Sequence, residues 1–285
     1  ISGRGLAQYN TVTGAANFVP QGLNEYTDGL AIYGDEIVVG LQGTWASAAG
    51  VEVWNTTTNQ WSMGRLLSGL PNNIINDFAV TSSHVMIATE GGIGMWNITK
   101  NDWDDPLTSI DGLASNNVKT FDYDFNTDVA YMGTPIGIAR WNFSSGTPLA
   151  TIDRGDGLVG DWTVSTVTSI SSSGSVTLYA SHNGAGNTRP GVSQFDLPFP
   201  SMIQTHRPDQ IPHNTVTAVA TDWWGVHIAT VGDPLTHWNA SSGQFEDGAA
   251  TWQLPAWPVY DMDSDGSTLF VTGDMGGTRV EIGTP

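Results

Sequence analysis

The stretch Gly69–Trp103, GLPNNIINDFAVTSSHVMIATEGGIGMWNITKNDW, decides the fold. It opens with a turn signal, Gly-Leu-Pro-Asn-Asn. Four short apolar runs follow, separated by Thr-Ser-Ser, Glu-Gly-Gly and Asn-Ile-Thr-Lys-Asn. About ten residues per run plus turn is too short for helices and right for antiparallel strands. The unit then returns along the chain, marked by a third run that ends in an aromatic residue and a polar one. Its copies end at Trp54-Asn55, Trp96-Asn97, Trp141-Asn142 and Trp238-Asn239, with looser copies at Tyr9-Asn10 and Phe195-Asp196. The anchors Tyr9, Trp54, Trp96, Trp141, Phe195 and Trp238 are 45, 42, 45, 54 and 43 residues apart. A four-strand unit of this length is the signature of an all-β fold, the β-propeller.

Working outward, the units fall at 23–63, 69–105, 112–155, 157–209, 211–254 and 257–285, forming one propeller domain over 1–285 with six blades and seven as the alternative. Second strands such as Val85-Met-Ile-Ala and Leu269-Phe-Val are apolar on both faces, as expected of blades sandwiched between neighbours. The third-strand Trp is accordingly expected to pack between blades. The last unit stops without a fourth strand, and residues 1–20 contain two strands, so the N-terminal strand Ala15–Pro20 is expected to complete the last blade. That leaves one third strand in surplus, which would suit exchange between copies of the chain. The start at Ile1, inside a repeat, reads as a piece of a larger protein.

Composition narrows the partners. There are 28 acidic residues against 9 basic ones, for a net charge of −19. Nucleic-acid binding rests on Lys and Arg neutralising phosphates, so it is excluded as an expectation, as is an anionic membrane surface. No apolar run approaches the ~18 residues of a membrane helix, so no direct membrane insertion is expected. Zero cysteines remove disulfides and thiolate chemistry. The acidic balance suits an extracellular or cell-surface location.

The pattern Gly-Leu-x-x-Asn-x-[Val/Ile], a short strand, then [Ile/Met]-[Ala/Gly]-Thr and a glycine turn stands at Gly69–Gly92 and Gly112–Gly137, and more loosely at Ile211–Gly232. It resembles the two-component-regulator propeller repeat. The resemblance implies a propeller sensor or interaction domain outside the cell, with no catalytic residue fixed by the repeat.

Candidate sites divide between the two ends of the blades. At the end carrying the hairpins between strands one and two and between three and four, Asn55, Asn97, Asn142 and Asn239 each begin Asn-x-[Ser/Thr], as N-glycosylation requires and as good turn formers also do. The acidic hairpins Asp122/Asp124 and Asp261/Asp263/Asp265 sit there too, with alternating carboxylates of the kind Ca²⁺ takes. Apart from Ca²⁺ no cofactor is expected. The opposite end carries the long loops with Trp45, Trp162, His182, Asn183, Arg189, His206, Arg207 and His213, a set suited to a sugar or anion. His84, His227 and His237, in or beside strands, read as structural. The expected function is non-catalytic: binding a glycan or protein partner, or building a cell-surface assembly. The alternatives are a carbohydrate-active lyase or hydrolase using the long-loop residues, and a filament subunit assembled by strand exchange.

Overall fold

A computed structural model describes residues 6–9, 13, 15–19, 26–42, 50–62, 69–160, 163–170, 176–182, 191–197, 201–206, 211, 213, 215–231, 233–247, 259–264, 266–273 and 276–282. It comprises two compact units, Ile1–Val118 and Lys119–Pro285.

The first unit begins with the hairpin β1 (Ala7–Tyr9) and β2 (Ala16–Phe18). Blade one follows as β3 (Tyr26–Tyr33), β4 (Glu36–Gln42), β5 (Gly50–Asn55) and β6 (Gln60–Ser62). Blade two is β7 (Ile75–Val80), β8 (His84–Thr89), β9 (Gly92–Asn97) and β10 (Asp102–Leu107).

The second unit holds blade three, β11 (Thr120–Asp124), β12 (Val129–Thr134), β13 (Gly137–Asn142) and β14 (Thr147–Ile152). Blade four is β15 (Thr163–Ile170), β16 (Val176–His182), β17 (Gly191–Leu197) and β18 (Ser201–His206). Blade five is β19 (Val216–Thr221), β20 (Gly225–Thr230), β21 (Asp233–Asn239) and β22 (Gln244–Asp247). A sixth sheet has three strands, β23 (Val259–Ser264), β24 (Thr268–Gly273) and β25 (Gly276–Glu281).

Each sheet is an antiparallel meander of consecutive strands, so the fold is a β-propeller with five complete blades and three strands of a sixth among the described residues. Within each unit the first strands of successive blades are neighbours, β3 with β7, β11 with β15, β15 with β19 and β19 with β23. The N-terminal hairpin stands in a sheet of its own. β2 pairs with β1 in its own two-stranded sheet, and the sheet of β23–β25 has no fourth member among the described residues. The reason is local packing. Leu6 and Val19, joined by a backbone bond of 2.9 Å, bury themselves against Ile37, Val39 and Trp54 of blade one.

The anchor aromatics pack as expected. Phe195 joins Tyr131 and Ile138 of blade three to Leu178 of its own blade, and Trp238 lies with Tyr179 and Val192 of blade four. Three anchors also meet an aromatic ring of the outer strand across the ladder: Trp54 on Trp61, Trp96 on Trp103 and Trp238 on Phe245, with ring centroids 5.2, 5.5 and 4.9 Å apart. Edge-on or tilted aromatic pairs of this kind add roughly 0.5–1.5 kcal/mol beyond burial.

The repeat's Thr-and-glycine signature is a turn between the second and third strands. Thr89 Oγ1 donates to the Gly92 carbonyl at 2.7 Å, and Thr134 Oγ1 to that of Gly137 at 2.8 Å. Gly137 has φ 125°, and a Cβ there would stand 2.4 Å from the Ile152 carbonyl oxygen. Only glycine fits that position.

Candidate functional site

The same lattice position carries different chemistry in each blade. The cross-strand pair one step before the anchor is Val38–Val53 in blade one, Met86–Met95 in blade two, Tyr131–Arg140 in blade three, Tyr179–Gln194 in blade four and His227–His237 in blade five. Burial makes each polar version demanding. Burial first, and the Asp124 charge second, raise the Tyr131 hydroxyl to about 12; burial lowers Arg140. Arg140 is satisfied by donating from Nε to the Ala150 carbonyl at 2.7 Å.

Blade five assembles the densest group. Asp222 occupies the β19–β20 turn, where its Oδ1 accepts the amides of Trp224 (2.7 Å) and Gly225 (2.6 Å). That geometry aims Oδ2 into the blade, 3.0 Å from His227 Nε2 and 3.4 Å from His237 Nε2. The two imidazoles stack with centroids 4.6 Å apart. His237 Nδ1 faces Glu246 Oε2 at 3.3 Å, and Glu246 Oε1 accepts from Asn239 Nδ2 at 3.1 Å. The Asp222, His227 and His237 side chains are 1%, 0% and 4% exposed. Gly225 is required here, because a Cβ would lie 1.8 Å from the Trp238 carbonyl oxygen.

Electrostatics divides the roles. Burial raises the Asp222 carboxyl, but hydrogen bonds and charge from both imidazoles outweigh it and hold the group well below the usual carboxylate range. Burial dominates at His227 and lowers it, whereas at His237 the bonds and charges of Asp222 and Glu246 overcome burial and raise it. The arrangement is a buried carboxylate flanked by two stacked imidazoles. Its donor atoms lie within 4.8 Å of one another, a spacing that could hold a metal ion.

Of the predicted ligand residues, His182 and His213 have described side chains, and neither belongs to this group. His182 is fully buried at the end of β16, with Nε2 3.1 Å from Ser193 Oγ and Nδ1 3.4 Å from Thr163 Oγ1. It stands where blades two and three place Thr89 and Thr134, opposite the glycine that opens the third strand. Burial pushes its pKa down to about 3, so it is neutral at ordinary pH. His213 is exposed and accepts the Thr215 amide at 3.1 Å. His206 ends β18, of whose side chains nothing is described, and Trp45, Trp162, Asn183, Arg189 and Arg207 lie outside the described residues.

Among the acidic hairpins, Asp124 is buried and turned onto its own loop, accepting from the Asn126 amide at 2.9 Å and Thr127 Oγ1 at 2.5 Å. Asp122 is half-buried on β11. Asp261 and Asp263 each accept the next residue's amide, at 2.9 and 2.8 Å, and Asp265 lies outside the described residues.

The four Asn-x-[Ser/Thr] sites share one turn. Asn55 Oδ1 accepts from Thr57 and Thr58, Asn97 from Lys100, Asn142 from Ser145 and Asn239 from Ser241 and Ser242. The residue four places on is left-handed each time: Asn59 (φ 53°), Asn101 (55°), Gly146 (64°) and Gly243 (65°). The turn uses each asparagine's Oδ1. Two of them are further committed, since Asn97 Nδ2 donates to Asp104 and Asn239 Nδ2 to Glu246.

The blade-five group is not visible in the linear sequence because its members are scattered over residues 222–246. The signal that finds it is register: aligning Trp238 with Val226 places His237 opposite His227.

Solved structures share this fold. The chain is similar to the computationally designed Ika8 protein (TM-score 0.62, 15% identity, covering 93% of this chain and 73% of that one). It is also similar to the extracellular domains of two B. thetaiotaomicron proteins. For the hybrid two-component system BT3049 the TM-score is 0.68 at 14% identity, over 91% of this chain and 34% of that one. For the one-component system BT4673 it is 0.65 at 11% identity, over 94% and 35%. The likeness is one of fold. This chain spans about a third of those two domains. No family model matches the sequence, and no curated protein matches it.

Proposed function

We propose that this chain is a non-catalytic, extracellular propeller domain of the sensor or interaction type, binding a glycan or protein partner. The observation that carries the reading is its likeness, over more than nine-tenths of its length, to extracellular domains of two signalling proteins. The two-component-regulator repeat at Gly69–Gly92 and Gly112–Gly137 supports the same reading. So does the chemistry inside the blades. His182, Asp222, His227 and His237, the described groups best suited to acid–base work, are all buried at 8% exposure or less. General acid–base catalysis needs such a group within hydrogen-bond reach of substrate.

The test is a glycan-array and calorimetric screen of the purified chain, with turnover assayed on every glycan bound. Binding without turnover, weakened by Arg189→Ala or His206→Ala, supports the proposal. Turnover lost in the same variants would replace it with a lyase or hydrolase, and polymers that vanish on deleting residues 1–10 would replace it with a strand-exchanging subunit.

A further inference from the structure

We infer that the interior of blade five is a binding site for a divalent transition-metal ion of the zinc class, held by Asp222, His227 and His237. Asp222 Oδ2 lies 3.0 and 3.4 Å from the two imidazole Nε2 atoms. Donors of a tetrahedral zinc with bonds of about 2.0–2.2 Å are separated by about 3.3 Å. The acid-to-imidazole distances are close to that value, and the two ring nitrogens, within 4.8 Å of each other, would draw together on one ion. Two imidazoles and one carboxylate suit zinc and its neighbours rather than calcium or magnesium, which take oxygen.

Each donor is also held from behind. The Trp224 and Gly225 amides fix Asp222 through Oδ1, leaving Oδ2 for the ion. Glu246 meets His237 at Nδ1, so that Nε2 is the atom turned toward Asp222. A carboxylate behind a histidine is the usual outer support of a metal-bound imidazole. Blade two is an internal contrast. Its acid, Asp104, meets a single imidazole, His84, and is neutralised by Lys100 at 2.6 Å. A lysine there leaves no place for a cation.

Because the donors are buried, the ion would tie the β19–β20 turn to β20 and β21, and its removal is read in stability. Tag-free protein is stripped with chelator, titrated with ZnCl₂, desalted, and followed by metal analysis and thermal melting. The expected result is one zinc per chain with a raised Tm. Asp222→Asn and His237→Gln should lose retained zinc, Glu246→Gln should weaken it about 10–100-fold, and His84→Gln should leave it unchanged. Glu246 is 47% exposed, so its variant keeps the test open should the buried variants fail to fold. Wild-type protein that retains no zinc and melts identically with and without it would overturn the site. So would zinc held equally by the Glu246→Gln and His84→Gln variants.

Discussion

Blades two and five are built on one frame and filled differently. Thr81 Oγ1 accepts the amides two and three residues on, those of Ser83 and His84, and Asp222 Oδ1 does the same for Trp224 and Gly225. Met86–Met95 in one blade stands where His227–His237 stands in the other. Asp104 and Glu246 both lie on the outer strand opposite that pair, and each accepts from the asparagine that follows the anchor tryptophan. The difference is where the principal acid enters. From the outer strand, Asp104 reaches a rim where it is 24% exposed and His84 14%. From the turn, Asp222 reaches an interior where it is 1% exposed. The frame is indifferent to the charge, but burial sets what the charge costs if its partners are removed.

The largest expected effect follows from that. Asp222→Ala strips two imidazoles and two turn amides of their acceptor and should destabilise by about 3–5 kcal/mol in chemical denaturation, the range for breaking a buried pair. Transplanting blade two's residues, Asp222→Thr with His227→Met and His237→Met, removes the whole network together. Against metal-stripped wild type it should fall between neutral and about 4 kcal/mol stabilising, and a loss as large as that of the single variant would break the equivalence of the blades.

His182 supplies the next effect, through pH. The unfolded imidazole takes up a proton below its ordinary value of 6.5, while the buried one stays neutral down to about 3. The unfolded chain therefore binds more protons in that window, and stability falls as pH drops from 6.5 toward 3. The slope is about 1.4 kcal/mol per pH unit for one such group. Denaturation at pH 5.0 and 6.5 should show His182→Thr, the residue other blades use, with a shallower dependence by that amount. A parallel dependence would mean that His182 is solvated.

Asp104→Ala should be milder, below about 1 kcal/mol and weaker still in high salt, because its partners lie near solvent. The smallest effect is a preference rather than an energy. In protein produced in a glycosylating host, peptide mapping should find carbohydrate on Asn55 and Asn142 before Asn97 and Asn239, whose amide nitrogens are bound to carboxylates. Equal occupancy at all four would show that those bonds are not maintained during modification.

The fold was legible because its determinants are local and copied. An anchor tryptophan, a Thr-and-glycine turn and an Asn-led hairpin recur at nearly constant spacing, and the turn and the hairpin make their hydrogen bonds within a few residues. The blade-five cluster was not legible, since Asp222, His227, His237 and Glu246 meet only through the register of three ladders. Taken singly, each has an ordinary reading as a turn former or strand residue. The contacts of the N-terminal hairpin were not legible for a related reason. A strand's sequence shows that it needs an edge, but the apolar contacts of Leu6 and Val19 with blade one decide its place.

The most direct test is a pair of double-mutant cycles, Asp222→Thr with His227→Met in blade five and Asp104→Ala with His84→Ala in blade two. The account predicts a coupling above about 2 kcal/mol for the first pair and below about 1 kcal/mol for the second. Equal couplings, or a larger one in blade two, would contradict the claim that entry from the turn rather than from the outer strand sets the strength of the polar group inside a blade.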